Sequence, residues 1–147
     1  MARNTTEFPV PPEQVWAVLA DPDAYAHWVV GSKYIRDADP SWPAEGAKFH
    51  HTVGIGPLTI KDNTQVLESR APERLVLRAR ARPSGTANVV MQLEPHESGT
   101  RVVMEEFPVS GLAKIIHNPL QDKLIYHRNV ESLRRLRHLA ETRAAGA

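Results

Sequence analysis

Asn118-Pro119-Leu120-Gln121 decides the fold, because it opens a long helix directly behind a strand-rich middle. Asn118 suits the N-cap, Pro119 the first helical position, and Gln121 falls at capping-box spacing from Asn118. The helix is expected to run to about Thr142, where the chain turns to small residues. At about 100° per residue, Ile125, Ser132, Leu133, Leu136, Leu139 and Ala140 share one arc. Lys123, His127, Glu131, Arg134, Arg137, His138 and Glu141 share the other. Asn129 stands in the middle of the apolar arc, which suggests packing against something other than a dry core.

Working back from that helix, turn signals recur at Gly54-Ile55-Gly56-Pro57, Ala71-Pro72-Glu73, Pro83-Ser84-Gly85 and Glu97-Ser98-Gly99. Between them lie alternating segments. Leu77, Ala79 and Ala81 alternate with Arg78, Arg80 and Arg82. Val89, Met91 and Leu93 alternate with Val90, Gln92 and Glu94, and Val102, Met104 and Glu106 with Arg101, Val103 and Glu105. Strands joined by tight turns are antiparallel neighbours. Upstream, residues 3–8 read as a first strand and Pro9, Pro11 and Pro12 end it. Glu13–Ala20 reads as a short helix with Val15, Trp16, Val18 and Leu19 on its apolar stripe. Asp21-Pro22 caps a second helical turn through Tyr25 toward Trp28. The expected order is strand, two short helices, an antiparallel meander of about six strands, and one long helix to cover the apolar face of the sheet.

Composition narrows the functional classes. The chain has 147 residues, 41% hydrophobic and 24% charged, as an ordinary globular protein does. That length predicts one domain over residues 1–147, with 143–147 a disordered tail. A formal net charge of +1 gives no bulk attraction to nucleic acid or anionic membrane. No cysteine is present, so disulfides, thiolate metal sites and cysteine nucleophiles are excluded, which fits the reducing cytoplasm. No run reaches the roughly 20 apolar residues of a membrane-spanning helix.

The opening Phe8-Pro9-Val10-Pro11-Pro12-Glu13-Gln14-Val15-Trp16, with Leu19-Ala20-Asp21-Pro22 and Tyr25-Ala26-His27-Trp28, resembles the N-terminal signature of the START-like superfamily. Within it the chain is similar to the bacterial polyketide cyclase/dehydrase and lipid-transport family, also called SRPBCC. Trp42-Pro43, Glu45-Gly46, Glu73-Arg74-Leu75-Val76-Leu77 and Gly99-Thr100-Arg101-Val102 continue the match in order, to about residue 141. The resemblance implies an α+β helix-grip fold. A curved seven-stranded antiparallel sheet grips the long C-terminal helix, and a cavity lies between them. It implies no catalytic motif, because lipid carriers, hormone binders, aromatase/cyclases and Hsp90-activating modules share the fold without sharing one.

Periodicity selects the inward groups. His51 shares a face with Phe49 and Val53. Asp62 and Thr64 share one with Leu58, Ile60 and Val66, and Glu106 shares one with Val102 and Met104. Asn129 points the same way from the helix. His51, Asp62, Glu106 and Asn129 are thus candidate polar groups in an apolar cavity whose walls are Ile60, Leu77, Met91, Met104, Leu133 and Leu136. A strand bulge near Gly54–Gly56 or Asp62 would turn them outward instead. Leu112, Ile115 and Ile116, after a hinge at Gly111, are expected either to cap the cavity or to form a plain helical lead-in that fills core. His50-His51 does not read as a metal pair, since adjacent strand residues point to opposite faces. Gly54-Ile55-Gly56 opens no helix and reads as a hairpin turn, not a phosphate loop.

The expected function is therefore binding of a hydrophobic or amphipathic small molecule (a lipid, a polyketide-like compound or an isoprenoid) without a metal or cofactor. The alternative is a cofactor-independent cyclase, aromatase or dehydratase, with His51 or Asp62 removing a proton and Glu106 donating one. A third reading is a protein-interaction module that uses the exposed arginine faces.

Overall fold

The computed structural model describes residues 1–55, 57–81, 85–111 and 118–146. Strand β1 (Ala2–Phe8) leads into α1 (Pro12–Leu19), a 3-10 turn (Pro22–Ala24) and α2 (Tyr25–Trp28). Strands β2 (Ser32–Ala38), β3 (Lys48–Ile55), β4 (Leu58–Arg70), β5 (Arg74–Ala81), β6 (Gly85–His96) and β7 (Gly99–Ser110) follow, and α3 (Pro119–Gly146) closes the chain. The strands form one seven-stranded sheet in the order β1-β7-β6-β5-β4-β3-β2. Every pair is antiparallel. Six strands are a meander, and β1 pairs with the last of them. The sheet curves around α3 in the expected helix-grip arrangement.

Local sequence accounts for the element ends. Asn118 Oδ1 accepts the backbone N–H of Gln121 at 2.9 Å, satisfying one of the donors that a helix start leaves over. The reciprocal half of the capping box is absent, for Gln121 Oε1 is buried with no hydrogen-bond partner. Asp21 Oδ1 accepts from Asp23 N at 3.1 Å and caps the second helical turn. α1 begins one residue earlier than expected, because Pro12 fits the first turn, where its missing N–H is harmless. α3 runs to Gly146, four residues beyond the expected end at Thr142. Arg143 pairs with Asp21 at 2.8 Å, and Ala144 packs on the core, so the residues read as tail are helical up to Gly146.

The anticipated bulges lie elsewhere. β3 and β4 stay in register from Lys48↔Gln65 to Ile55↔Leu58. The irregularities fall between Ser32 and Tyr34, between Ile35 and Asp37, between Val66 and Glu68, and between Thr86 and Ala87. Register is therefore intact through His51↔Asp62, and both side chains are buried.

The apolar core is densest where α1 meets the C-terminal half of α3. Leu133, Leu136 and Ala140 are buried there with Val15, Val18 and Leu19, against Leu75, Met91, Leu93 and Val102 of the sheet. Beside it Tyr25, Trp28, Trp42 and Phe49 form an aromatic cluster with ring centroids 4.8–5.6 Å apart. Tyr25 Oη and Trp42 Nε1 both donate to the Leu19 carbonyl, at 2.8 and 3.1 Å. They satisfy a carbonyl that the end of α1 leaves open. Burial pushes the Tyr25 phenol far above its usual range, with the Asp21 charge adding to the effect.

Candidate functional site

Toward the N-terminal half of α3 the packing changes. Arg128, Asn129 and Ser132 face a cavity of about 550 Å³ there. The sheet supplies Phe49 and His51 from β3, Thr64 from β4, Leu77, Ala79 and Arg80 from β5, Ala87 and Val89 from β6, and Met104 and Glu106 from β7. Tyr25, Trp28 and the chain from Val29 to Ser32 close a further side. Ser132 Oγ accepts the backbone N–H of Val30 at 3.1 Å, tying that segment to α3. Leucine, valine, methionine and aromatic side chains make most of the wall, with a few polar groups set into it, as in small-molecule sites generally.

The polar groups form two clusters. In the first, Arg128 Nη2 donates to both oxygens of Glu106 at 2.5 Å, and Asn129 Nδ2 donates to Glu106 Oε1 at 3.2 Å. Asn129 Oδ1 accepts from Arg128 Nε at 3.4 Å. Glu106 is nearly buried and Arg128 half-exposed, so the pair spans from the cavity wall to solvent. The Arg128 stem carries its charged head inward from the edge of the polar arc. In the second cluster, His51 Nε2 lies 3.4 Å from Thr64 Oγ1. Burial lowers the His51 imidazole below its ordinary value. The Asp62 charge and the Asn63 backbone oppose that effect, and Arg36 and His50 add to it.

The expected site residues divide accordingly. His51, Leu77, Met104, Glu106 and Asn129 line the cavity. Asp62 is buried opposite His51 in the register but does not line it, and its Oδ1 accepts from Asn63 N at 3.0 Å. Met91, Leu133 and Leu136 are not walls but core, since the α1 side of α3 closes completely over them. The Ile60 side chain lies outside the described residues, as do Arg82 and the proposed cap of Leu112, Ile115 and Ile116. Arg128, Thr64 and Ser132 were not among the expected ligand contacts. The signal for Arg128 was present, since a long cation adjoined the inward Asn129 on the helix.

The two clusters sit far apart in the sheet. His51 on β3 and Glu106 on β7 are four strands from one another. At a strand spacing of roughly 4.8 Å, that is about 19 Å along the curved sheet. Every side-chain hydrogen bond of Glu106 among the described residues is one that it accepts.

Residues 9–141 match the family model described as Activator of Hsp90 ATPase homolog 1-like protein. No curated protein matches the chain. Among solved structures, protein NE0264 from Nitrosomonas europaea is 20% identical with a TM-score of 0.75, over 97% of this chain and 95% of that one. Protein CV1439 from Chromobacterium violaceum is 20% identical with a TM-score of 0.72, over 95% of this chain and 96% of that one. DynU16, described as a protein in the dynemicin biosynthetic locus, is 18% identical with a TM-score of 0.70, over 96% of this chain and 47% of that one. At these identities the structures attest the shared fold. The family match, by contrast, spans nearly the whole chain, including the N-terminal signature, the meander and the long helix. The chain belongs to the Activator of Hsp90 ATPase homolog 1-like family, within the SRPBCC (START-like) superfamily, whose fold is a ligand-binding one.

Proposed function

We propose that the protein binds a hydrophobic or amphipathic small molecule between the sheet and the N-terminal half of α3. The observation that carries this reading is the cavity of about 550 Å³ whose wall is mostly apolar and whose polar groups are few and grouped. A volume in the range of roughly 300–1,000 Å³ suits a small ligand. Val29 to Ser32 and the Glu106–Arg128–Asn129 cluster give such a molecule a polar end to register against. Lipid, polyketide-like and isoprenoid compounds all meet these demands.

A cofactor-independent cyclase or dehydratase is the second reading. One observation favours it: His51 lines the cavity, and burial lowers its imidazole below the ordinary value. The role of Glu106, which accepts two donors rather than offering a proton, weighs against its acting as the acid.

Native mass spectrometry of the protein after incubation with a cell extract tests the main reading. Leu133 is core, so Leu133→Trp would perturb packing; Ala79→Trp, on the cavity wall, is the substitution that fills it. A retained small molecule that Ala79→Trp loses while remaining folded supports binding in the cavity. Equal retention by both proteins, or none by either, overturns it. A different compound retained by His51→Gln than by the parent chain would favour the enzyme.

A further inference from the structure

Hydrogen-bond accounting around the cavity leaves donors in surplus. Among the described residues, Glu106 is the one carboxylate on the wall, and Arg128 and Asn129 already occupy it. Arg128 Nη1 makes no hydrogen bond there. Arg80 lines the same cavity and has neither an ion pair nor a hydrogen bond among the described residues. Ser132 Oγ accepts from Val30 N, which leaves its O–H to donate. Arg128 is thus paired on the wall, while Arg80, exposed at the rim of the cavity, adds a second guanidinium without a second carboxylate among the described lining residues.

We infer that the ligand is an amphipathic monocarboxylate, its head group on Arg128 with the Arg80 charge nearby and its tail along Trp28, Leu77, Val89 and Met104. This rests on the cavity-binding reading above. A guanidinium with an unused edge matches the planar carboxylate, and charge-assisted bonds of this kind are the strong ones. A surplus of one positive charge fits one negative head group. An ammonium head would meet two cations, and a plain alcohol would leave the Arg128 edge unmatched. Glu106 plays two parts: it positions Arg128 and competes with the ligand for it.

The test is displacement of Nile red, an uncharged probe, by dodecanoate, dodecanol and dodecylammonium at one pH and ionic strength. Dodecanoate is expected to bind at least about tenfold more tightly than dodecanol, and dodecylammonium more weakly than either. Arg128→Gln is expected to erase the advantage of dodecanoate while leaving dodecanol unchanged, and Glu106→Gln to increase it. Arg80→Gln reduces the advantage with the Glu106–Arg128 pair intact, so it decides the matter if Arg128→Gln does not fold. Equal binding of dodecanoate and dodecanol, or preference for dodecylammonium, overturns the carboxylate while leaving cavity binding in place. Failure of all three amphiphiles to displace a probe that Ala79→Trp also fails to exclude overturns both readings.

Discussion

His51 shows how one residue's setting becomes a measurable property. Its ring is buried against Phe49, with centroids 5.1 Å apart, and burial holds its imidazole below the ordinary value. The unfolded chain takes up that proton near pH ~6.5, while the folded chain does so only at lower pH. Between the two the unfolded state binds more protons, so stability falls as pH drops below about 6.5. His51→Gln removes this dependence. Denaturant midpoints for both proteins at about pH 7.5 and about pH 5 should show the parent losing more than the variant; parallel losses would exclude the effect. At the other end of the fold, Asn118→Ala removes the N-cap bond to the Gln121 backbone and should cost about 1 kcal/mol in urea unfolding. These residues also show how much of the site was legible. Period two alone placed His51 and Glu106 on the cavity side, and they line it. It also placed Met91 there, yet Met91 is sealed in core. Alternation specifies the face a side chain takes but not what stands opposite it.

At the scale of elements, α3 serves two surroundings along one stripe. Its C-terminal half presses Leu133, Leu136 and Ala140 into core, and its N-terminal half turns Asn129 and Ser132 to the cavity. Leu136→Ala should therefore cost about 2–5 kcal/mol, the lost transfer energy plus an unfilled hole. Leu124, 63% exposed on the same helix, should change stability by no more than about 0.5 kcal/mol when cut to alanine. Urea unfolding of the two variants checks both values; similar costs would mean that the two halves are packed alike. The β1–β7 edge makes a different demand. A Cβ on Gly99 would stand 2.0 Å from the Phe8 carbonyl oxygen. Gly99→Ala must push the end of β1 away from β7 and should destabilise by about 1–3 kcal/mol, with hydrogen exchange accelerated in β1. Unchanged exchange in β1 would show that the strand end yields freely. The first helix, the second helical turn and the capped start of α3 were all readable from prolines and caps, because those signals are local. β2 was the hardest strand to read, since its two irregularities replace alternation with a burial rhythm nearer three.

At the scale of the molecule, the cavity is the space that one helix leaves when it crosses a curved sheet with its packing concentrated at one end. Filling it from the wall should therefore leave the core intact. Ala79→Trp is expected to keep the unfolding midpoint within about 1 kcal/mol of the parent while abolishing uptake of Nile red. A large stability loss with uptake retained would mean that the cavity is part of the core. Arg143 pairs with Asp21, joining the chain just after α1 to the C-terminal turns of α3. The dense end is thereby held while the other end faces the void.

The sequence by itself determined the order of elements, the antiparallel meander and the capped helix that covers the sheet. These follow from prolines, turn residues and hydrophobic periods, each of which acts within a few residues. Only the tertiary structure decided where along α3 the packing stops, and so which inward residues are wall and which are core. It alone brought Arg128 to Glu106 across 22 residues of chain. It also set His51 and Glu106 at opposite reaches of one sheet. Such outcomes depend on the curvature of seven strands and the crossing of one helix, which no short stretch of sequence encodes.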